Sequence, residues 1–531
     1  MHHTIMLSAL RRGALVLALV CAAVLPLVAL NVTHVGSFHL KRFREPTWAL
    51  FGALALFALL RRDRAAFVQA WAARLRALLE HPRFFPWLSA TMLALYVLAA
   101  WTQHLSFHTY SHDFSMIDEA LVPHAHKPLL YSPVLGRSFL SEHFSPILAL
   151  LVPVHAAVRS PYLLVVLQPV ALWGSGVLLR SILARAGVAP ATSNLACLVY
   201  FNHPVQIATL LYVFHMECLL PLFVFSMVLS YQRGAMGRYV VAAALALAVK
   251  EDAGLYVAGF GLFAAIAGKR RVVGISTAAA GLAWTAFALR VAMPAFGGEP
   301  GYSFLSRWNE WGHGWGPIAW GFATHPIQLT QRLLAWPYLK FFTSLLFAPF
   351  FTGAGWLLFL IPWVVPATSG SAQQAALGLY YGIPLLAFSA VAGAFGLASP
   401  AFRRLVAPRF AVGAACVAVV LNVAHLSYPE IPRERPRFLL ELRMIPDTAS
   451  VQAMACFYPV LGYDREKSLI RNGAELTSDY AVLRTDGTAW PLPPGEPQRI
   501  VDRALASERY VNRSSVKNFY ILRRVKPAPP R

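Results

Sequence analysis

Asp113 and the pair Asp118–Glu119 stand five residues apart in Ser111-His112-Asp113-Phe114-Ser115-Met116-Ile117-Asp118-Glu119. Acids at that spacing, with apolar residues between them, suit a short helix lying along an interface. Such a paired-acid loop could hold a general base against an acceptor hydroxyl. The same carboxylates could instead collect a divalent cation, with imidazole ligands from His104, His108, His112, His124, His126 and His143, six of the chain's 17 histidines. No compact spacing such as HExxH is present, so a tight zinc site is the weaker expectation. An ordinary charged loop accounts for the segment equally well.

Three further groups carry candidate chemistry. His143 precedes Ser145-Pro146, which fits a helix start, and it serves either as an interfacial anchor or as a substrate contact. In Phe214-His215-Met216-Glu217 the histidine and acid would diverge on a helix but could converge in a turn. Lys250-Glu251-Asp252 follows an apolar helix of only eleven residues, so its three charges must pair with one another or line an aqueous cavity. Lys250 suits a structural ion pair and also a phosphate oxygen. The segment from Arg307 to Trp315 interleaves Trp308, Asn309, Glu310, Trp311 and His313. An interfacial aromatic belt is the favoured expectation there and at Tyr380-Tyr381, with stacking on a sugar or grip on a lipid phosphate as the alternative for the tryptophan segment.

The elements that must position these residues follow from composition. Of 531 residues, 57% are hydrophobic and 13% charged, about half the charged share of soluble domains. Twelve of the 24 acids fall in residues 1–427 and twelve in residues 428–531. That excludes a soluble cytosolic enzyme and divides the chain into a membrane portion and a soluble appendage. Apolar runs near 13–31, 47–60, 85–103, 161–180, 190–204, 209–230, 239–250, 254–268, 272–293, 333–352, 354–368, 375–397 and 409–427 predict about twelve to fourteen spans. The run 144–158 is either another span or re-entrant. The net charge of +22 lies in short clusters between the runs, such as Arg61–Arg62–Arg64 and Lys269–Arg270–Arg271. This pattern is positive-inside topology and carries no nucleic-acid face. Scattered Cys21, Cys197, Cys218, Cys416 and Cys456 predict no disulfide framework.

With those clusters cytoplasmic, loops 104–143 and 294–332, the turn 203–217 and the tail lie on the opposite side. Lys41, Arg42 and Arg44 run against the rule. Asp113, Asp118, Glu119, Glu142, Glu217, Glu251, Glu299 and Glu310 then gather at or outside one face, with Asp252 beside them. Residues 64–83 predict an amphipathic helix on the cytoplasmic surface. Short β-like runs at 449–455, 479–485 and 518–525 alternate with helix-like stretches and predict a small α/β domain. The expected divisions are residues 1–83, a two-span extension; 84–427, the membrane core; and 428–531, the appendage.

Several segments resemble a prokaryotic multi-pass membrane family, domain-of-unknown-function family 2079. DFSMIDEAL (113–121) resembles its D-L-G-I-F-D-Q element, and HFSPILALLVPVHAAVRSPYLLVVLQ (143–168) its HFSP-I-L-L-L-L-x-P-L-Y stretch. FHMECLLPL (214–222) resembles its F-H-P-E element and VKEDAGL (249–255) its K-E-D element. The likeness covers roughly residues 90–400, and the end from 438 is similar as well. Glu119 replaces an amide, Met216 a proline, and Tyr380 stands where histidine is usual.

That family in turn resembles the GT-C superfamily of membrane glycosyltransferases. The resemblance implies an all-α polytopic membrane domain followed by a small α/β extracytoplasmic domain in a bacterial inner membrane. It implies transfer of a sugar, with inversion, from a polyprenyl-phosphate donor entering from the lipid to an acceptor. Asp113 or Asp118, with Glu119 paired to the latter, would be the base. Lys250 and Arg307 would neutralise the departing phosphate; His143, His215, Glu217, Glu251 and Asp252 would shape the cavity or hold a divalent cation. A transporter or flippase of a lipid-linked or anionic solute is the rival reading, and a non-catalytic scaffold a third.

Overall fold

The computed structural model describes residues 64–109, 111–268, 270–298, 302–405, 431–487 and 491–525, with a few isolated positions elsewhere. The expected spans 13–31, 47–60 and 409–427 lie outside the described residues. The chain is mostly helical. Among the described residues three helices are long and apolar enough to cross a membrane: Phe84–Leu105, Tyr162–Arg185 and Arg271–Ala295. The last is α-helical over Arg271–Phe287 and passes through a π-helical turn, Ala288–Ala292. The predicted amphipathic helix, α1 (Arg64–Glu80), precedes the first of them, α2 (Phe84–Leu105). Leu79 of α1 is buried with Leu195 and Val199. The expected short helix is α3 (Ser111–Ala120), with Asp113 in its first turn.

Other apolar runs are shorter or more broken than hydropathy suggests. Run 144–158 becomes a 3-10 turn, Pro146–Leu151, and a helix, Val152–Val158, that stops at left-handed Arg159; at thirteen residues it is too short to cross alone. Run 209–230 is interrupted between helices Pro204–Leu210 and Leu220–Arg233. Run 333–352 divides after Trp336–Ser344, where Leu346 and Phe347 adopt φ of 53° and 51°. Each interruption frees backbone groups that hydrocarbon cannot solvate, so it persists where protein surrounds it.

The interruption that matters most separates Met236–Leu247 from Ala253–Ala267. The carbonyl of Ala248 accepts from the Ile147 N–H (3.0 Å), that of Lys250 from Trp284 Nε1 (3.4 Å) and that of Glu251 from Thr285 Oγ1 (2.9 Å). Helix Ala253–Ala267 packs closely against Arg271–Phe287 through glycine. A Cβ on Gly254 would run into the carbonyl oxygen of Gly281, and one on Gly274 into the backbone of Ala265.

The C-terminal region carries a five-stranded mixed sheet: β1 (Val451–Ala453), β2 (Lys467–Leu469), β3 (Tyr480–Arg484), β4 (Tyr510–Asn512) and β5 (Phe519–Arg524). Its order is β2-β1-β3-β5-β4. β1 runs parallel to β2 and β3, while β5 is antiparallel to β3 and β4. The three predicted strands are present. β2 and β4 were not predicted, being three residues each and too short to show alternation.

Candidate functional site

Glu251 lies at the centre of the broken helix and is completely buried. A carboxylate in that position needs donors, and three converge on it. His143 Nδ1 is 3.0 Å from Oε1, Tyr302 Oη donates to Oε1 (3.1 Å), and the Phe144 N–H donates to Oε2 (3.1 Å). His143 is held from the other side by Phe304, stacked at 4.9 Å and 6°. Ser145-Pro146 does start a helix, a 3-10 turn, so His143 and Phe144 reach Glu251 from its N-terminal approach.

Beside it runs a second chain of buried polar groups. Lys250 Nζ donates to Glu217 Oε1 at 2.6 Å, and Glu217 Oε2 meets His215 Nδ1. The histidine and acid therefore converge because residues 211–219 form a turn and a short 3-10 helix. That irregular backbone is stapled by Gln168, whose Oε1 accepts from the His215 N–H (3.1 Å) while Nε2 donates to the carbonyls of Thr209 (2.9 Å) and Tyr212 (3.1 Å). His215 stacks on Tyr380 at 3.6 Å.

Glu217, Lys250 and Glu251 border a cavity of about 250 Å³, whereas His143 and His215 stand behind them and do not line it. Glu217, Lys250, Glu251, Asp252 and Arg307 supply its charges, and Tyr302, Trp308, Trp315, Phe322, Tyr380 and Tyr381 supply rings. Asp252 is half-buried and accepts from Tyr256 Oη at 2.8 Å. Arg307 has no carboxylate partner among the described residues; Nη1 donates to Gln374 Oε1 (3.2 Å), and the guanidinium lies over the rings of Phe304 (4.6 Å) and Tyr381 (5.5 Å). The aromatic residues assigned to a belt thus divide. Trp308 and Trp315 line the cavity, as do Tyr380 and Tyr381, whereas Trp311 is buried with Nε1 donating to the Thr368 carbonyl (2.8 Å).

The loop acids are placed differently from one another. Asp113, half-buried, accepts from Tyr212 Oη at 2.8 Å, and the Tyr212 ring lies 5.7 Å from that of Tyr380 in the cavity wall. None of the three acids lines the cavity itself: Asp113 reaches its wall through Tyr212, and Asp118 and Glu119 turn to other partners. Asp118 accepts from Tyr463 Oη (3.0 Å) and faces His155 Nε2 (3.3 Å); Glu119 pairs with Lys467 Nζ at 2.5 Å. Glu119 lies outside the membrane-spanning helices. Burial there pushes its carboxyl up to about 7, although Lys467 opposes the shift. Among the described residues no three of His, Cys, Asp and Glu are grouped as a divalent cation would need.

Gln168, Gln374 and Tyr302 escaped the sequence reading. A lone glutamine inside the apolar run 162–185 was the available signal for the first; nothing local marks the other two. No curated protein matches the chain. One family model does, over residues 103–487, more than half of the chain, and it takes in the loop acids, the broken helix and the strands β1 to β3. The chain therefore belongs to the predicted membrane protein family DUF2079.

Proposed function

We propose that this protein is a membrane glycosyltransferase that moves a sugar from a polyprenyl-phosphate donor to an acceptor hydroxyl, with inversion, at the extracytoplasmic face of a bacterial inner membrane. In this reading residues 84–427 are the catalytic core and the region from 428 is extracytoplasmic. The observation that carries it is Arg307, a guanidinium without a carboxylate partner among the described residues, set in an aromatic-walled cavity that Asp252 also lines. Such a cation fits a phosphate, the rings fit sugar faces, and a half-buried carboxylate fits sugar hydroxyls.

The acceptor oxygen attacks the anomeric carbon as the bond from that carbon to the phosphate oxygen breaks. The phosphate leaves with the bonding pair, and its charge develops against Arg307. Asp113 receives the acceptor proton, with Tyr212 orienting the carboxylate. A single displacement inverts the anomeric centre. Lys250 is already neutralised by Glu217, so it shapes the wall and Arg307 takes the anion. Asp118 and Glu119, whose oxygens are engaged by Tyr463 and Lys467, support the loop.

The test is turnover of radiolabelled polyprenyl-phosphate sugars by protein in lipid nanodiscs, comparing wild type with Asp113→Asn and Arg307→Gln. Transfer lost in Asp113→Asn with donor still bound, and donor binding lost in Arg307→Gln, is the expected result. No turnover of any donor, together with lipid or solute movement in proteoliposomes, overturns the reading in favour of a transporter.

A further inference from the structure

We infer that the C-terminal region is a positioning element for Asp113, gripping the segment that carries this acid at both ends. Its consequence for catalysis rests on the transfer reading above; the grip itself does not.

The front grip is Phe107. Helix α2 closes with the His108 N–H on the Gln103 carbonyl (2.9 Å), and Phe107 occupies the left-handed position of that closure at φ 59°. Glycine is the usual residue there, because a side chain is strained. The ring explains the exception. Phe107 is 2% exposed and belongs to the hydrophobic core of the C-terminal region. It lies 5.1 Å from Phe457, 5.9 Å from Phe519 and 6.3 Å from Phe438, with Arg435 over its face at 5.3 Å. Arg484 Nη1 adds a bond to the Ser106 carbonyl (3.4 Å).

The rear grip is the acid pair. Tyr463 Oη reaches both oxygens of Asp118 (3.2 and 3.0 Å) and His155 Nε2 (3.2 Å). Lys467 meets Glu119 with both side chains 3% exposed, and its ammonium lies over the rings of Tyr458 (4.7 Å) and Tyr463 (5.2 Å). Between the grips α3 rests on the turn Ala455–Val460. Asp113 lies five and six residues before the gripped acids, about 7–9 Å along the same helix at the α-helical rise. A rigid helix fixed at that end and tethered before its start holds Asp113 toward Tyr212.

The test uses the full chain in nanodiscs and two readouts. Lys467→Glu sets two acids against each other and Tyr463→Phe removes the Asp118 donor; Phe107→Ala empties the front grip; Lys467→Arg conserves the charge. Amide exchange in residues 111–120 should quicken at least tenfold in Lys467→Glu and Phe107→Ala, less in Tyr463→Phe, and return in Lys467→Arg, while β3 and β5 stay protected. If Phe107→Ala opens the sheet itself, the Lys467 and Tyr463 variants decide. In the transfer assay kcat should fall about tenfold or more in Lys467→Glu with the donor KM unchanged. Unchanged exchange in both Lys467→Glu and Tyr463→Phe overturns the grip. Quickened exchange with kcat unchanged overturns the positioning of Asp113. Quickened exchange in a protein whose wild type transfers nothing upholds the grip and removes only the transfer reading.

Discussion

Two buried lysine–glutamate pairs in this protein invite comparison. Lys250 meets Glu217 at 2.6 Å and Lys467 meets Glu119 at 2.5 Å, each pair almost sealed from solvent. Around Lys250 the chain leaves a cavity of about 250 Å³ with further charges and rings in its wall. Around Lys467 the space is filled by Tyr458 and Tyr463. Buried ion pairs contribute little net stability, yet removing one partner strands the other. Pairing and burial therefore show that a charge is held. Space beside a charge that has no opposite partner among the described residues, as at Arg307, is what separates a candidate site from a fastening.

The largest expected effect tests that separation directly. Asp113→Asn should slow transfer by roughly 10²–10⁴-fold, the range for loss of a general base, whereas Asp118→Asn should stay within about tenfold because an amide still accepts from Tyr463. A reversed order, measured as single-turnover transfer, would erase the distinction between the two acids. Next, Lys467→Met should destabilise by about 3–5 kcal/mol, since it strands the buried Glu119, and Lys250→Met by less, because Glu217 keeps His215. Thermal unfolding in nanodiscs should register both, and donor binding should weaken only for Lys250→Met. Gly254→Ala should cost about 1–3 kcal/mol by overpacking against Gly281. It should also disturb donor binding, because Gly254 lies two residues past Asp252 at the helix break.

The smallest effect is a pH dependence confined to the closed pair. Docked, Glu119 titrates near 7, raised chiefly by burial; undocked, it returns to about 4.5. Between those values the docked state holds a proton that the undocked state lacks, so docking should weaken as pH rises from about 4.5 to 7 and level off above. Lys467, Asp118 and His155 face the same carboxyl, with Tyr458 and Tyr463 around them. Exchange protection of residues 111–120 across that range, corrected for intrinsic rates, should flatten in Glu119→Gln. A slope that persists in Glu119→Gln would assign the titration to another group.

The open half of the comparison was legible in the sequence and the closed half was not. Three consecutive charges after a short apolar helix cannot remain in hydrocarbon, so Lys250-Glu251-Asp252 had to meet partners or a cavity, and they meet both. The turn that joins His215 to Glu217 was also open to reasoning, because two residues apart they converge only off a helix. Asp118 and Glu119 read as freely as Asp113, since nothing near them in the chain announces Tyr463 and Lys467 more than 340 residues later. Hydropathy likewise locates apolar runs but is silent on where they break. The turn at 211–219 rests on a tertiary partner, Gln168, not on composition.

The ring of Phe107 sits in a core whose other phenylalanines, Phe438, Phe457 and Phe519, are synthesised at least 331 residues later. At about 5–20 residues per second the ribosome needs roughly 15–65 s to cover that interval. Throughout it the ring is an unfilled plug at the end of an early helix, and the C-terminal sheet is born with a socket in its interior. Assembly of this region is thus closed from behind: the later-made sheet completes itself only by seizing a residue made hundreds of positions before it.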